Sequence, residues 1–133
     1  MSSLVLEIVS KTKSMNLLYV EDNEEARRFT LELLSRFFDN ICVAINGKEG
    51  FELFQTKKFD LIISDVNMPI MGGLDMAYLI RKIDRKIPIF ILSAHTETHI
   101  KEAAENIDVT RYLTKPLNLA ELTEILRHLI NKD

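Results

Sequence analysis

The chain has 133 residues, 47% of them hydrophobic and 28% charged, which suits one domain with a buried core and is too short for two ordinary ones. Its net charge of −3 and pI near 5.6 argue against direct contact with nucleic acid or an anionic membrane. The single cysteine, Cys42, excludes an intramolecular disulfide and reads as a small buried hydrophobe in a reducing compartment. No apolar stretch approaches the roughly 20 residues of a membrane span, so a cytoplasmic protein is expected.

The first 14 residues stand apart, because the regular pattern begins only at Asn16; the domain proper is placed at 15–133. Residues 4–9 (Leu-Val-Leu-Glu-Ile-Val) have no basic segment ahead of them and do not resemble a secretory signal. A tail, a short helix packed on the domain, or a dimer contact all remain open for them. An apolar run at 17–20 then opens the series. Ala26, Phe29, Leu33 and Phe37 follow at intervals of three and four, the spacing of a helix with one apolar face. The run 41–45 precedes a shorter helix that opens near Gly47 and carries Phe51 and Phe54. Next come a run at 61–63, a helix over 74–83, a run at 89–92 and a helix over 100–107. A run at 109–113, interrupted by Thr110 and Arg111, leads to a last helix bearing Leu119, Leu122, Leu126 and Leu129.

Apart from the last, the short runs are almost continuously apolar, as strands covered on both faces must be. Strands alternating with helices imply an α/β fold with a doubly wound parallel sheet and helices on both faces. With five strands the expected order is 2-1-3-4-5, a flavodoxin-like three-layer sandwich.

Such sheets bind ligands beyond the carboxyl ends of their strands, near the point where strand order reverses. The residues closing each run are therefore the candidates. Glu21 and Asp22 follow the first strand, Ser64 and Asp65 the third, Ser93 the fourth, and Thr114 and Lys115 the fifth. The second run ends at Asn46 and, in this order, lies at the edge, away from the switch point. Three carboxylates, a hydroxyl and an ammonium thus reach one rim. Carboxylates so close repel unless some are protonated or a cation sits among them. Oxygen ligands suit Mg²⁺, which typically pairs a few carboxylates with a phosphate. A carboxylate attacking phosphorus would form an aspartyl phosphate, with Mg²⁺ and Lys115 offsetting charge on the phosphoryl oxygens and Ser93 donating a hydrogen bond.

The acidic pair Glu21-Asp22, the stretch Asp65-Val-Asn-Met-Pro-Ile-Met-Gly-Gly, the pair Ser93-Ala94 and the pair Lys115-Pro116 occur in this order, each closing an apolar run. Together they resemble the receiver domain of bacterial response regulators, over Asn16 to about Ile130. The resemblance implies Asp65 as phosphoacceptor, with Glu21, Asp22 and the backbone carbonyl of Asn67 holding Mg²⁺ beside it. It implies that Lys115 pairs with the phosphoryl oxygens, that Ser93 is the switch hydroxyl and Tyr112 the switch aromatic, and that Ala94 leaves the phosphate approachable. It also implies a cis Lys115–Pro116 peptide. The implied donors are a sensor histidine kinase or a histidine phosphotransfer protein. The readout would be a changed face built by the helix over 100–107, the last strand and the last helix. That face would meet a downstream protein, an output domain or a second copy of the chain. Two departures are Gly72-Gly73, where an acidic residue and a glycine are common and which would add flexibility, and His95, two residues after Ser93, beside the water's approach.

Other readings are set beside this one. Asp65-Val66-Asn67 resembles the Asp-x-Asp of haloacid-dehalogenase-like Mg²⁺-dependent phosphatases. It follows the third strand rather than the first and lacks the general acid. A flavodoxin-like cofactor binder would want a glycine-rich loop after the first strand, and none is present. His95 and His99 lack a third zinc ligand. Arg81, Lys82, Arg85 and Lys86 read as a solvated face, with kinase docking as the alternative. Both a stand-alone receiver and the receiver of a longer regulator fit the pattern.

Overall fold

The computed structural model describes residues 3–94 and 98–131. Five parallel strands, β1 (Asn16–Val20), β2 (Asn40–Ala44), β3 (Leu61–Asp65), β4 (Ile89–Ser93) and β5 (Arg111–Thr114), form one sheet in the order β2-β1-β3-β4-β5. Six helices accompany them: α1 (Ser3–Thr12), α2 (Glu24–Leu34), α3 (Gly47–Thr56), α4 (Gly73–Ile83), α5 (Thr98–Ile107) and α6 (Leu119–Ile130). Side chains alternate between the two faces of the central strands. Leu17, Tyr19, Leu61, Ile63, Phe90 and Leu92 join one core with Leu33, Leu34, Phe37, Leu122, Ile125 and Leu126. Leu18, Val20, Ile62, Ile89 and Ile91 join a second core with Met76, Ala77 and Ile80. The central strands β1, β3 and β4 are apolar at nearly every position because both faces are covered, and the expected architecture and strand order are found.

The edge strand β2 is only half covered, and Cys42 on it is half-buried rather than buried, with Lys57 Nζ 3.5 Å from its Sγ. The last strand starts two residues later than the apolar run suggested. Asp108 takes a left-handed conformation (φ 66°) that ends α5, and Thr110 Oγ1 accepts from the backbone N–H of Ile89 at 2.9 Å. Phe29, counted on spacing as a core residue, is 59% exposed. The inward positions of this region are Thr30, Leu33, Leu34 and Phe37, so a threonine holds the place that hydrophobicity gave to its neighbour. Leu119 is likewise exposed, while Leu122, Ile125 and Leu126 face inward.

Residues ahead of the sheet form α1, which packs on α6. Ile8 is fully buried in the first core, and the Thr12 hydroxyl donates to the carbonyl of Phe37 at 2.7 Å. Asparagines start three helices just beyond strand ends. Asn23, Asn46 and Asn118 each accept, through Oδ1, from the N–H three residues on at 2.8 Å, which satisfies an otherwise orphaned donor.

Candidate functional site

The parallel register sets the tips of β1, β3, β4 and β5 side by side: Val20 pairs with Ser64, Asp65 with Leu92, and Ser93 with Thr114. Glu21 is 1% exposed and Asp65, the last residue of β3, 6% exposed; Asp22 points to solvent. Oxygens of these three acids lie within 4.8 Å of one another, the one such acidic group among the described residues. Lys115, just after β5, closes the cluster. Its Nζ stands 2.9 Å from Glu21 Oε1 and 3.4 Å from Asp65 Oδ1. The other Glu21 oxygen accepts from the N–H of Asn23 at 3.2 Å.

Burial first, and then the neighbouring charge of Glu21, push the carboxyl of Asp65 up to about 6, against the opposing pull of Lys115. Burial alone would lower Lys115. The hydrogen bond to Glu21 and the charges of Asp65 and Glu21 outweigh it and raise the ammonium above its ordinary value. One ammonium thus stands beside two of the three carboxylates, Glu21 and Asp65, and the repulsion expected from the sequence is only partly relieved. Tyr19, two residues before Glu21, is pushed upward by burial and by these same acids, so its phenol stays protonated.

The remaining candidates are gathered at the same rim. Ser93 ends β4, is 2% exposed, and its carbonyl accepts from the N–H of Lys115 at 2.7 Å. Ala94 follows, exposed. Tyr112 on β5 is half-buried against the second core. The Lys115–Pro116 peptide is cis. Asn67 is exposed and lines a shallow depression with Asp22, Met68, Pro69 and Gly72. His95 lies outside the described residues, as does the side chain of His99. In the basic cluster, Arg81 donates to the carbonyls of Asp108 (2.9 Å) and Asp84 (3.1 Å), tying the end of α4 to the start of β5, and Lys82 lies over the ring of Tyr78.

Gly72 and Gly73 have a packing role. Neither has a positive φ, and a Cβ on Gly73 would run into the carbonyl of Asp65 and approach Ser64 Oγ to 2.9 Å. These glycines allow close approach, seating α4 against the Asp65 strand. Arg27 and Asn23 were not among the sequence candidates. Asn23 carries a readable signal, an asparagine just ahead of a helix. Arg27 carries none, since its partners are backbone carbonyls at the end of β1.

Three hard oxygen donors close together, one of them solvent-facing, fit a small divalent cation that keeps part of its water shell. No helix among the described residues is long and apolar enough to cross a membrane.

A family model described as "Response regulator receiver domain" matches residues 17–127. The probable transcriptional regulator ycf29 of Porphyra purpurea is 38% identical over 122 residues, which cover 90% of this chain and 58% of that protein. The transcriptional regulatory protein CusR of Escherichia coli (strain K12) is 30% identical, over 89% of this chain and 52% of its own length. The chain therefore spans only about half the length of these relatives. Among solved structures, the chemotaxis protein CheY4 of Vibrio cholerae superposes with a TM-score of 0.79 at 30% identity, over 86% of this chain and 98% of that one. The N-terminal domain of WS1339 from Wolinella succinogenes does so at 0.77 and 32%, over 89% and 98%. With its matching motifs at four neighbouring strand tips and this fold beneath them, the chain belongs to the response regulator receiver domain family of two-component signalling.

Proposed function

We propose that Asp65 accepts a phosphoryl group from the phosphohistidine of a sensor histidine kinase or histidine phosphotransfer protein. Glu21, Asp22, Asp65 and the backbone carbonyl of Asn67 would hold Mg²⁺ beside it. The observation that carries this reading is the convergence of three carboxylates within 4.8 Å, two of them paired with the ammonium of Lys115. Above about pH 6 Asp65 is mainly ionised and able to act as nucleophile. A carboxylate oxygen attacks phosphorus as the bond to the imidazole nitrogen breaks, its electron pair leaving with that nitrogen. Bound Mg²⁺ supplies charge that offsets the phosphoryl oxygens. Lys115, already beside Asp65, offers its ammonium to one of them, and Ser93 on the adjoining strand offers its hydroxyl to another. Ala94 leaves the approach open.

The added charge, about −1.5 to −2, favours the packing in which Ser93 turns toward the phosphoryl group and Tyr112 turns inward. This remodels the face built by α5, β5 and α6. A downstream protein, an output domain or a second copy of the chain would read that face. The module is regulatory: it catalyses its own modification and slowly removes it. Turnover phosphatase chemistry is disfavoured because Asn67, an amide, stands where that reading needs a general acid.

Acetyl phosphate with Mg²⁺ should label the protein with one acid-labile phosphoryl group, and Asp65→Asn should remove it. Unchanged labelling of Asp65→Asn would disprove the assignment. Rapid turnover of small phosphomonoesters by the unmodified chain would favour the phosphatase.

A further inference from the structure

We propose that Arg27 is a positioning residue for the metal site, and the proposal rests on the reading of that site given above. Arg27 lies in the first turns of α2, and its side chain folds back toward the sheet. A single terminal nitrogen, Nη1, donates to the carbonyl of Glu21 at 3.0 Å and to that of Asp22 at 3.2 Å. Both carbonyls lie past the last residue of β1, where the chain bends from strand to helix and ladder partners end. The bond to Glu21 is half-buried and the bond to Asp22 exposed; both carbonyls have left the ladder, and a planar guanidinium can serve two at once.

The consequences differ for the two acids. Glu21 is fixed independently: its N–H donates to the carbonyl of Ala44 at 3.0 Å, and its carboxylate oxygens engage Lys115 and the N–H of Asn23. At Asp22 only the main chain is held: the peptide to Asn23 donates its N–H to Glu21 at 3.2 Å, and its carbonyl accepts from Arg27 at 3.2 Å. The Asp22 carboxylate is exposed and makes no hydrogen bond or ion pair among the described residues. Its backbone therefore fixes where the side chain leaves the main chain, and Arg27 holds the carbonyl side of that backbone. Arg27 aims Asp22 without touching the ion.

Position and charge predict opposite signs. Removing a cation that is bonded to the main chain of two of the acids should, by Coulomb's law alone, tighten metal binding. Loosening the bend that aims Asp22 should weaken it, and outer partners of metal ligands are typically worth about tenfold or more in affinity.

The test is direct titration of the full chain with Mn²⁺ as probe, followed by proton relaxation of bulk water, with Mg²⁺ competition for the physiological ion. Arg27→Met should bind Mn²⁺ about tenfold more weakly. Arg27→Lys should recover part of the loss, because an ammonium donates to one carbonyl readily but lacks the planar fork. If Arg27→Met does not fold, Arg27→Lys carries the measurement alone, with a severalfold loss expected and an unchanged affinity contradicting the role. Equal or tighter binding by Arg27→Met, while Asp22→Asn weakens it, overturns the positioning role and leaves the site standing. Failure of the unmodified chain to bind Mn²⁺ saturably overturns both.

Discussion

The conversion of Asp65 to asparagine should stabilise this protein, and only where the carboxyl would otherwise be ionised. Asp65 is 6% exposed, and burial together with the nearby charge of Glu21 raises it from 3.8 to about 6, even with Lys115 3.4 Å away. A carboxyl whose value is higher in the folded state favours folding while it is protonated. That advantage is complete below about pH 4 and is lost as the pH rises through about 6. At about 1.4 kcal/mol per pH unit between the two values, the ionised side chain costs the fold roughly 3 kcal/mol at neutral pH. Asparagine has the shape of the neutral acid and carries no such cost. Urea unfolding in EDTA should therefore show Asp65→Asn more stable than the parent by about 2–3 kcal/mol near pH 8, the gap closing toward pH 4. Saturating Mg²⁺ should narrow the gap at pH 8, because an ion that binds only the folded parent stabilises it by mass action. A stability difference independent of pH, or an asparagine variant less stable near pH 8, would refute the claim that burial and the charge of Glu21 together disfavour the ionised carboxyl in the folded state.

Two further outcomes test the surrounding frame. Ile8→Ala should cost about 2–5 kcal/mol, since the side chain is fully buried, whereas Leu6→Ala on the same helix, 56% exposed, should stay within about 0.5 kcal/mol; urea midpoints distinguish them. Gly73→Ala should cost about 1–3 kcal/mol and weaken Mn²⁺ binding, because the new methyl meets the Asp65 carbonyl rather than a yielding side chain. Unchanged affinity in that variant would mean the loop absorbs the methyl without moving Asp65.

The sheet was legible because its signal is redundant: strands covered on both faces must be apolar at nearly every position, and β1, β3 and β4 are. The rim was legible for a related reason, since a carboxylate directly after such a run has nowhere to go but the strand tip. Helical faces read less well. Hydrophobic spacing selected Phe29 over Thr30, although the threonine is the buried one, because composition cannot tell which neighbour a helix turns inward. The packing role of the glycine pair was not legible because close approach is a property of what lies opposite, for Gly73 a carbonyl eight residues earlier in the chain. Arg27 escaped notice for the same reason. Its partners are main-chain oxygens, which leave no trace in the residue pattern.

The helix ahead of the sheet has a consequence for traffic around the molecule. α1 lies before the family match that begins at residue 17, and it leans on α6, one wall of the surface proposed for output. One flank of that wall is thereby taken. A binding protein shaped to enclose α6 would meet α1. Selectivity can thus arise from an obstacle built into the chain as well as from attraction.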